Sequence, residues 1–515
     1  MPTAKPRRPA ANPKIKGLKE LAAILAKARK SGKTVAMCHG VFDLMHPGHV
    51  VHFREAREMA DLLVVTITPD KLVNKGPGRP IFGQQLRLET LAAVQFIDFV
   101  ALNEWPTAVE TIKLLKPDLY VKGSDYADAG ADLTGKISEE EAAVRSVGGR
   151  LVVTGGFRSS SSFLINRFFS AYPEATQEYL HRMRQKHSSD EIVARLRGLS
   201  DLKALVVGEA ILDEYFYCIP LGKTPKDTIV ATKYSSRERF AGGAVATANH
   251  LAGFCREVTL LTSVGPDDEE TEFLRSKLKP NVRMETVRTA DRPTVRKRRF
   301  IEPNFMTKMF EIQYLDDTPF EKHDEEAFGA RLQSAAAKND FLVVNDFGHG
   351  LLTPKLRQTL SRSRKFLALN TQSNSANHGF NAVTNYSRAD FVSIDEPELR
   401  LAARNRYGDL HAESARLRKA LGAKTFLVSR GHKGSAILTD SGWEETPALA
   451  TRVVDRTGAG DALFAVTSPC AHLGFAPDLL GLVANCVGAM AVEIVGNRES
   501  VDPTGLYKFI QTLLK

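Results

Sequence analysis

The sequence predicts an α/β protein of two doubly wound domains, the second covered by a small β lid. Three observations predict it. Apolar strand-like runs alternate with amphipathic helical stretches from about Lys33, and a second such series opens at LKALVVGEAIL from Leu202. That alternation implies parallel sheets with helices on both faces. At 515 residues the chain exceeds what one hydrophobic core usually serves, so two domains are expected. Two β-rich stretches, near 215–240 and 283–315, interrupt the second series without helical periodicity. They read as an accessory sheet over a larger core.

In order, TVAMCHG, DLLVVTIT, DFVAL, DLYVKG and RLVVTGG read as strands. PGHVVHFREAREMA, GQQLRLETLAAVQ, TAVETIKLLK and EEEAAVRSVG read as the helices between them. The expected boundaries are a basic tail and leading helix over 1–32, a first domain over 33–168, a polar helical connector over 169–200, and a second domain over 201–515. Parallel sheets of this kind bind ligands beyond the carboxyl ends of their strands, and the stretch GVFDLMHPGH lies at such an end.

Composition narrows the function classes. The hydrophobic fraction of 43% and charged fraction of 25% are those of a soluble globular protein. No apolar run approaches a membrane span and the N-terminus lacks a secretory apolar segment, so a cytoplasmic protein without a membrane partner is expected. The five cysteines form no CxxC pair, which suggests neither a disulfide framework nor a zinc site. The net charge of +10 resides partly in the Pro-rich tail and in RKRRF at 296–300, without zinc-finger spacing or an RNA-binding signature. It reads as a solvated basic surface that favours phosphorylated substrates, with no nucleic-acid partner.

If the HPGH segment holds a nucleoside triphosphate, attack on the α-phosphorus builds charge that needs preplaced donors. His46 and His49 at a helix start supply two imidazoles, the positive helix end adds to them, and Gly48 removes a side chain that would hold the phosphates off. GVFDLMHPGH, KGPGRP (75–80), VKGSDY (121–126) and SSSFLI (160–165) occur in that order at or after strand ends. The set resembles the nucleotidyltransferases with the HxGH motif, most closely the adenylyltransferase half of the bifunctional heptose kinase/adenylyltransferases of ADP-heptose synthesis. The resemblance implies that His46 and His49 stabilise the transition state, that Phe42 and Asp43 shape the nucleotide pocket, and that Lys75 and Arg79 meet phosphates. It further implies Lys122, Gly123 and Asp125 on the base side, and Ser160, Ser161 and Ser162 on triphosphate oxygens. ATP is the expected donor, with CTP the alternative.

VVDRTGAGDALFA at 453–465 is the most specific signal in the chain. Glycines on both sides of Ala459 let successive N–H groups converge into an anion nest at a helix start, and Asp461 stands within reach of whatever the nest holds, placed to take a hydroxyl proton. The fragment GKT at 222–224 is not a P-loop, because Tyr217 stands where its first glycine is required. DRTGAGD resembles the signature of the ribokinase-like (PfkB) carbohydrate kinases. The likeness implies Mg²⁺ and ATP, sugar contacts from Asp213, Gly242 and Gly243, and nucleotide or phosphate contacts from Asp395, Glu398, Arg430, Gly431, Gly434, Thr457, Gly458, Ala459 and Gly460. The β-rich interruptions then resemble that family's lid, which implies a homodimer.

The sugar side departs from the pattern. Ala246 replaces an asparagine after the di-glycine, Glu209 stands where the heptose kinases have aspartate, Asp395 replaces the asparagine of NxxE, and NTQSNSANHGFN (370–381) is richer in amides than the corresponding family segment. Domain order is reversed relative to the heptose enzymes. The expected function is a bifunctional enzyme that phosphorylates a sugar or sugar phosphate and transfers a nucleotidyl group to a sugar 1-phosphate. A second reading keeps only the transferase active, on a phosphorylated polyol with CTP, beside a sensing or dimerising kinase-like half. A third, a nucleic-acid or regulatory binding protein, is disfavoured by intact His46, His49 and Asp461.

Overall fold

Alternation along the first strand sorts the N-terminal core onto two faces, as a parallel strand buried on both sides requires. In the computed structural model, which describes residues 12–123, 136–155 and 172–515, Ala36 and Cys38 join Phe53, Leu63 and Val65 on one face of the sheet. Val35 and Met37 join Leu21, Leu25, Ile112 and Tyr120 on the other. Each fully buried large side chain of this kind contributes about 1.5–3 kcal/mol.

The chain divides into two units. The first comprises residues 1–171 together with Tyr507–Leu513 and Lys515, and the second comprises Tyr172–Leu506 with Leu514. In the first, α1 (Leu18–Lys30) precedes β1 (Val35–Gly40), α2 (Pro47–Glu58), β2 (Leu62–Ile67), α3 (Gln84–Ala92), β3 (Phe99–Leu102), α4 (Val109–Leu115), β4 (Leu119–Lys122), α5 (Lys136–Ser146) and β5 (Arg150–Val153). The sheet order is β3-β2-β1-β4-β5, every pairing parallel. Strand order therefore reverses between β1 and β4, the position beyond whose carboxyl ends sheets of this kind bind their ligands. The HPGH turn follows β1 directly.

The second unit is built on a nine-stranded sheet in the order β10-β9-β6-β13-β14-β15-β16-β17-β18. Its strands are β6 (Lys203–Gly208), β9 (Glu257–Val264), β10 (Val282–Arg288), β13 (Phe341–Asp346), β14 (Phe366–Thr371), β15 (Phe391–Asp395), β16 (Thr425–Ser429), β17 (Ser435–Thr439) and β18 (Gly442–Thr446). Only the last two pairings are antiparallel. The two β-rich stretches of the sequence form a separate four-stranded sheet ordered β12-β11-β7-β8, from β7 (Ala210–Lys223), β8 (Val230–Gly243), β11 (Val295–Glu302) and β12 (Thr307–Tyr314).

The stretch read as a connector forms helices Glu174–Lys186 and Ser189–Arg197, which belong to the second unit. Tyr172 donates its hydroxyl to the carbonyl of Leu449 at 3.1 Å, and His187 sits 3.0 Å from Asp478. Among the described residues no helix is long and apolar enough to cross a membrane.

Candidate functional sites

His46 is the N-cap of α2, with extended backbone, and its Nδ1 accepts the N–H of Gly48 at 3.1 Å. A ring nitrogen that accepts carries no proton, so the neutral imidazole keeps its proton on Nε2 as a donor. His49 lies one helical turn on, its ring centroid 3.9 Å from that of His46. Phe42 stands edge-on to His49 at 5.3 Å and to Phe53 at 5.2 Å, and is thus a wedge behind the imidazoles. Phe42 takes a left-handed backbone (φ 49°) to get there. Burial, reinforced by His46, His52 and Lys75, pushes the His49 pKa down to about 3. His49 is therefore neutral at physiological pH, and its Nδ1 is buried without a partner among the described residues.

The residues expected around these histidines divide into two groups. Asp43 accepts the N–H of Phe82 at 3.0 Å and pairs with Arg79 at 3.4 Å, so it shapes the 79–82 loop. Lys75 has its pKa lowered to about 8 by burial, with the positive charges of Lys515, Arg79 and Lys508 against the attraction of Asp43. Lys122, by contrast, is 2.8 Å from Glu140, both side chains buried, and Tyr120 donates to the same carboxylate at 3.0 Å. Its charge is thus already neutralised inside the fold, while Gly123 stays half-buried at the strand end. Asp125 and Ser160, Ser161 and Ser162 lie outside the described residues.

Sequence reasoning missed Arg87, which is 1% exposed and donates to Phe82 O, Val41 O, Thr68 O and Asp70. It ties the ends of β1 and β2 to α3, and an arginine on the apolar face of QQLRLETLA was its signal. His52, held 2.8 Å from Thr154, was missed as well.

The second unit contains a cavity of about 1610 Å³ lined by Asp213, Gly243, Asp395, Glu398, Arg430, Gly431, Thr457, Gly458, Gly460 and Asp461. Gly242, Gly434 and Ala459 do not line it. Gly242 instead admits Asp213: a Cβ there would lie 2.1 Å from Asp213 Oδ2. Helix Ala459–His472 has Gly458 as N-cap, so no side chain caps its first-turn N–H groups. Asp461 Oδ1 accepts from Asn345 at 3.1 Å and from Gln372 at 2.7 Å. Burial, with Asp213 adding to it, raises the Asp461 pKa to about 7.

Asp455 anchors the nest. It accepts from Tyr215 at 2.7 Å, Lys308 at 2.8 Å, Gly496 N at 2.9 Å and Thr457 N at 3.1 Å. Two lid residues therefore grip the loop that carries Asp461. Gly458 sits at φ 80°, and a Cβ there would lie 2.2 Å from Asn497 Oδ1. Gly458→Ala is accordingly expected to cost about 1–3 kcal/mol, read as a lowered denaturant midpoint with unchanged slope.

Several expectations are corrected. RKRRF is not a solvated surface: Lys297 and Arg299 line the cavity, while Arg296 and Arg298, on the alternate face of β11, pair with Glu270 and Glu214. Arg299 also pairs with Asp213 and, at 2.7 Å, with Glu311. Ala246 is buried in helix Ala244–Ala252, off the cavity wall. Glu209 accepts the N–H groups of Phe347 and His349, both at 3.0 Å, so it holds a loop. Glu398 spends both oxygens on backbone N–H groups, those of Asp395 and Ser373. Its pKa rises to about 8 through burial and the nearby Asp395. Gln372, Lys297, Arg299 and Asn497 complete the wall and Asn345 supports it, roles the sequence reading did not assign to them.

The bifunctional protein HldE of Geobacter sulfurreducens is 38% identical over 165 residues, 31% of this chain and 32% of the relative. The protein of the same name from Sulfurimonas denitrificans is 42% identical over 114 residues, 22% of this chain and 24% of the relative. The chain thus spans about a third or less of the length of these curated relatives. Solved structures with a similar trace include ribokinases from Thermotoga maritima (17% identity, TM-score 0.47, 60% of this chain and 99% of that one) and Arabidopsis thaliana (17%, 0.45, 61% and 99%). Residues 37–195 match the cytidylyltransferase-like family. Residues 201–503, more than half of the sequence, match the pfkB family of carbohydrate kinases, and the chain belongs to that family.

Proposed function

We propose that the chain is a bifunctional enzyme. Its second unit phosphorylates a sugar or sugar phosphate with ATP, and its first unit transfers a nucleotidyl group from a nucleoside triphosphate, ATP by preference, to a sugar 1-phosphate. The product is a nucleotide-activated sugar such as ADP-heptose. The observation that carries the reading is the carboxylate of Asp461 at the cavity wall, one oxygen held by two amides beside an uncapped helix start. The cytidylyltransferase-like match and relatives named bifunctional support the pairing of the two activities.

In the kinase half, the first-turn N–H groups after Gly458 receive the charge that develops on the γ-phosphoryl oxygens, and Asp461 takes the acceptor's hydroxyl proton. Mg²⁺ supplies further charge neutralisation when bound with the nucleotide. Asp395, whose Oδ2 the helix cap leaves open, would hold it, with Glu398 braced beside it by the N–H groups of Asp395 and Ser373. In the transferase half, His46 and His49 donate to the α-phosphate oxygens as pyrophosphate leaves. The lid's exposed Ile219, Leu221, Val230, Phe310 and Ile312 support a homodimer through that sheet.

One observation favours the second reading. Arg299 already occupies Asp213, the carboxylate expected to read sugar hydroxyls, which suits a kinase-like half that senses a metabolite while the first unit acts as a cytidylyltransferase on a phosphorylated polyol. Incubation with ATP or CTP and a panel of heptose, hexose and polyol phosphates separates the two. ADP together with pyrophosphate is the expected result, whereas pyrophosphate from CTP with no ADP from any acceptor establishes the second reading.

A further inference from the structure

The two oxygens of Asp461 have different surroundings. Oδ1 accepts from Asn345 Nδ2 and Gln372 Nε2. Oδ2 accepts from no protein donor among the described residues, and Asp461 lines the cavity. Asn345 is part of the rigid sheet: it is fully buried on β13 and its Nδ2 also donates to Thr247 at 2.7 Å. Gln372 is different, being the first residue past β14 on the amide-rich segment.

That segment is spent on backbone. Asn374 and Asn377 donate to the carbonyl of Phe347 at 2.8 and 2.7 Å, and Asn381 donates to that of Asp346 at 2.8 Å. Gln372 is itself clamped, its N–H donating to Asp346 O at 2.9 Å and its carbonyl accepting from Asn381 at 3.3 Å. The asparagines thus frame a loop whose product is the aim of one side chain.

We propose that Gln372 is a positioning residue for phosphoryl transfer, holding Asp461 Oδ1 so that Oδ2 stays turned into the cavity as the proton acceptor. The proposal rests on the kinase reading of Asp461. In the step it serves, the acceptor's O–H bond breaks with its proton going to Oδ2, the freed oxygen pair bonds to the γ-phosphorus, and the bond from that phosphorus to the bridging oxygen breaks, its electrons leaving with ADP. A carboxamide donor favours the charged carboxylate, and two on one oxygen fix the plane of the group. The charged groups facing Asp461 are Asp213 and Lys297 from the lid and Glu398 from the helix after β15; Asp213 raises its pKa and Lys297 lowers it, while Asp461 in turn raises that of Glu398.

The test uses the full chain and two variants, Gln372→Leu and the shorter amide Gln372→Asn. The carboxyl stretch of Asp461, assigned by its loss in Asp461→Asn, is titrated by isotope-edited infrared spectroscopy, and ATP-dependent phosphorylation of heptose 7-phosphate is followed against pH. Both variants are expected to raise the infrared midpoint by about one pH unit and to move the acid limb of the rate equally, leaving the KM for ATP within a few-fold. An unshifted midpoint in both variants overturns the proposal, with or without turnover. A shifted midpoint in a chain whose parent phosphorylates no acceptor overturns the kinase reading and the role with it, while a shifted midpoint with an unmoved acid limb overturns the role alone.

Discussion

Asp461→Asn is expected to lower ATP-dependent phosphorylation by about 10²–10⁴-fold while ATP still binds within a few-fold of the parent. The substitution preserves volume, and the new carbonyl can still accept from Asn345 and Gln372, so the amide nitrogen replaces only the oxygen that faces the cavity. What disappears is the ability to take a proton. Because burial raises the parent's pKa to about 7, its kcat/KM should climb with pH through that value, and the residual rate of the variant should lack that limb. The linkage has a definite sign. A carboxyl whose folded pKa is raised contributes stability below its ordinary value of 3.8, lost as pH rises through about 7. Asp461→Asn should therefore be at least as stable as the parent at pH 8, read from denaturant midpoints at pH 5 and 8. A rate within a few-fold of the parent would make Asp461 a structural cap.

Much of this site was legible because its chemistry is local in sequence. The nest glycines and the proposed base lie within DRTGAGD, and two histidines three apart lie within HPGH, so each set of candidates could be read off one short stretch. The alternation of strands and helices was legible for the same reason, since burial on both faces leaves apolar runs that only parallel strands share. What was not legible depends on pairing across long separations. Nothing in RKRRF distinguishes a solvated basic run from a strand whose alternate side chains meet Glu214 and Asp213, because the partners lie some eighty residues away. Lys122 reads as a ligand only until Glu140 is seen to neutralise it.

The amide-rich segment illustrates the same limit from the other side. Its amide richness stands among the departures on the sugar side, and Asn and Gln can both donate and accept. A loop that crosses the carboxyl ends of β13 and β14 must also satisfy backbone groups that no strand pairs. Asn374, Asn377 and Asn381 meet that demand, and Gln372 is left to face Asp461. Three of its amides therefore brace the loop, while Asn370 and Gln372 line the cavity.

His49→Ala is expected to lower pyrophosphate release by about a hundredfold or more, the scale of removing one preorganised donor, while phosphorylation dependent on Asp461 stays within a few-fold. His49 is the cleaner of the two probes. His46 also caps α2 through Gly48, so His46→Ala adds a helix-stability loss of about 0.5–2 kcal/mol to any catalytic one. The rings of Phe42 and Phe53 hold His49 whether or not substrate is present, so its removal deletes a donor without releasing a cap. Since burial, with His46, His52 and Lys75 adding to it, pushes its pKa down to about 3, His49 is neutral across the physiological range and should give the rate no acid limb between pH 5 and 8. A depressed histidine contributes stability that is present above its ordinary 6.5 and lost as pH falls toward about 3. The variant should accordingly lose less stability than the parent on acidification from pH 7 to 4. Pyrophosphate release assayed with ATP and heptose 1-phosphate, beside unfolding at both pH values, checks the two expectations together; parental release in the double variant His46→Ala, His49→Ala would remove the histidines from the chemistry altogether.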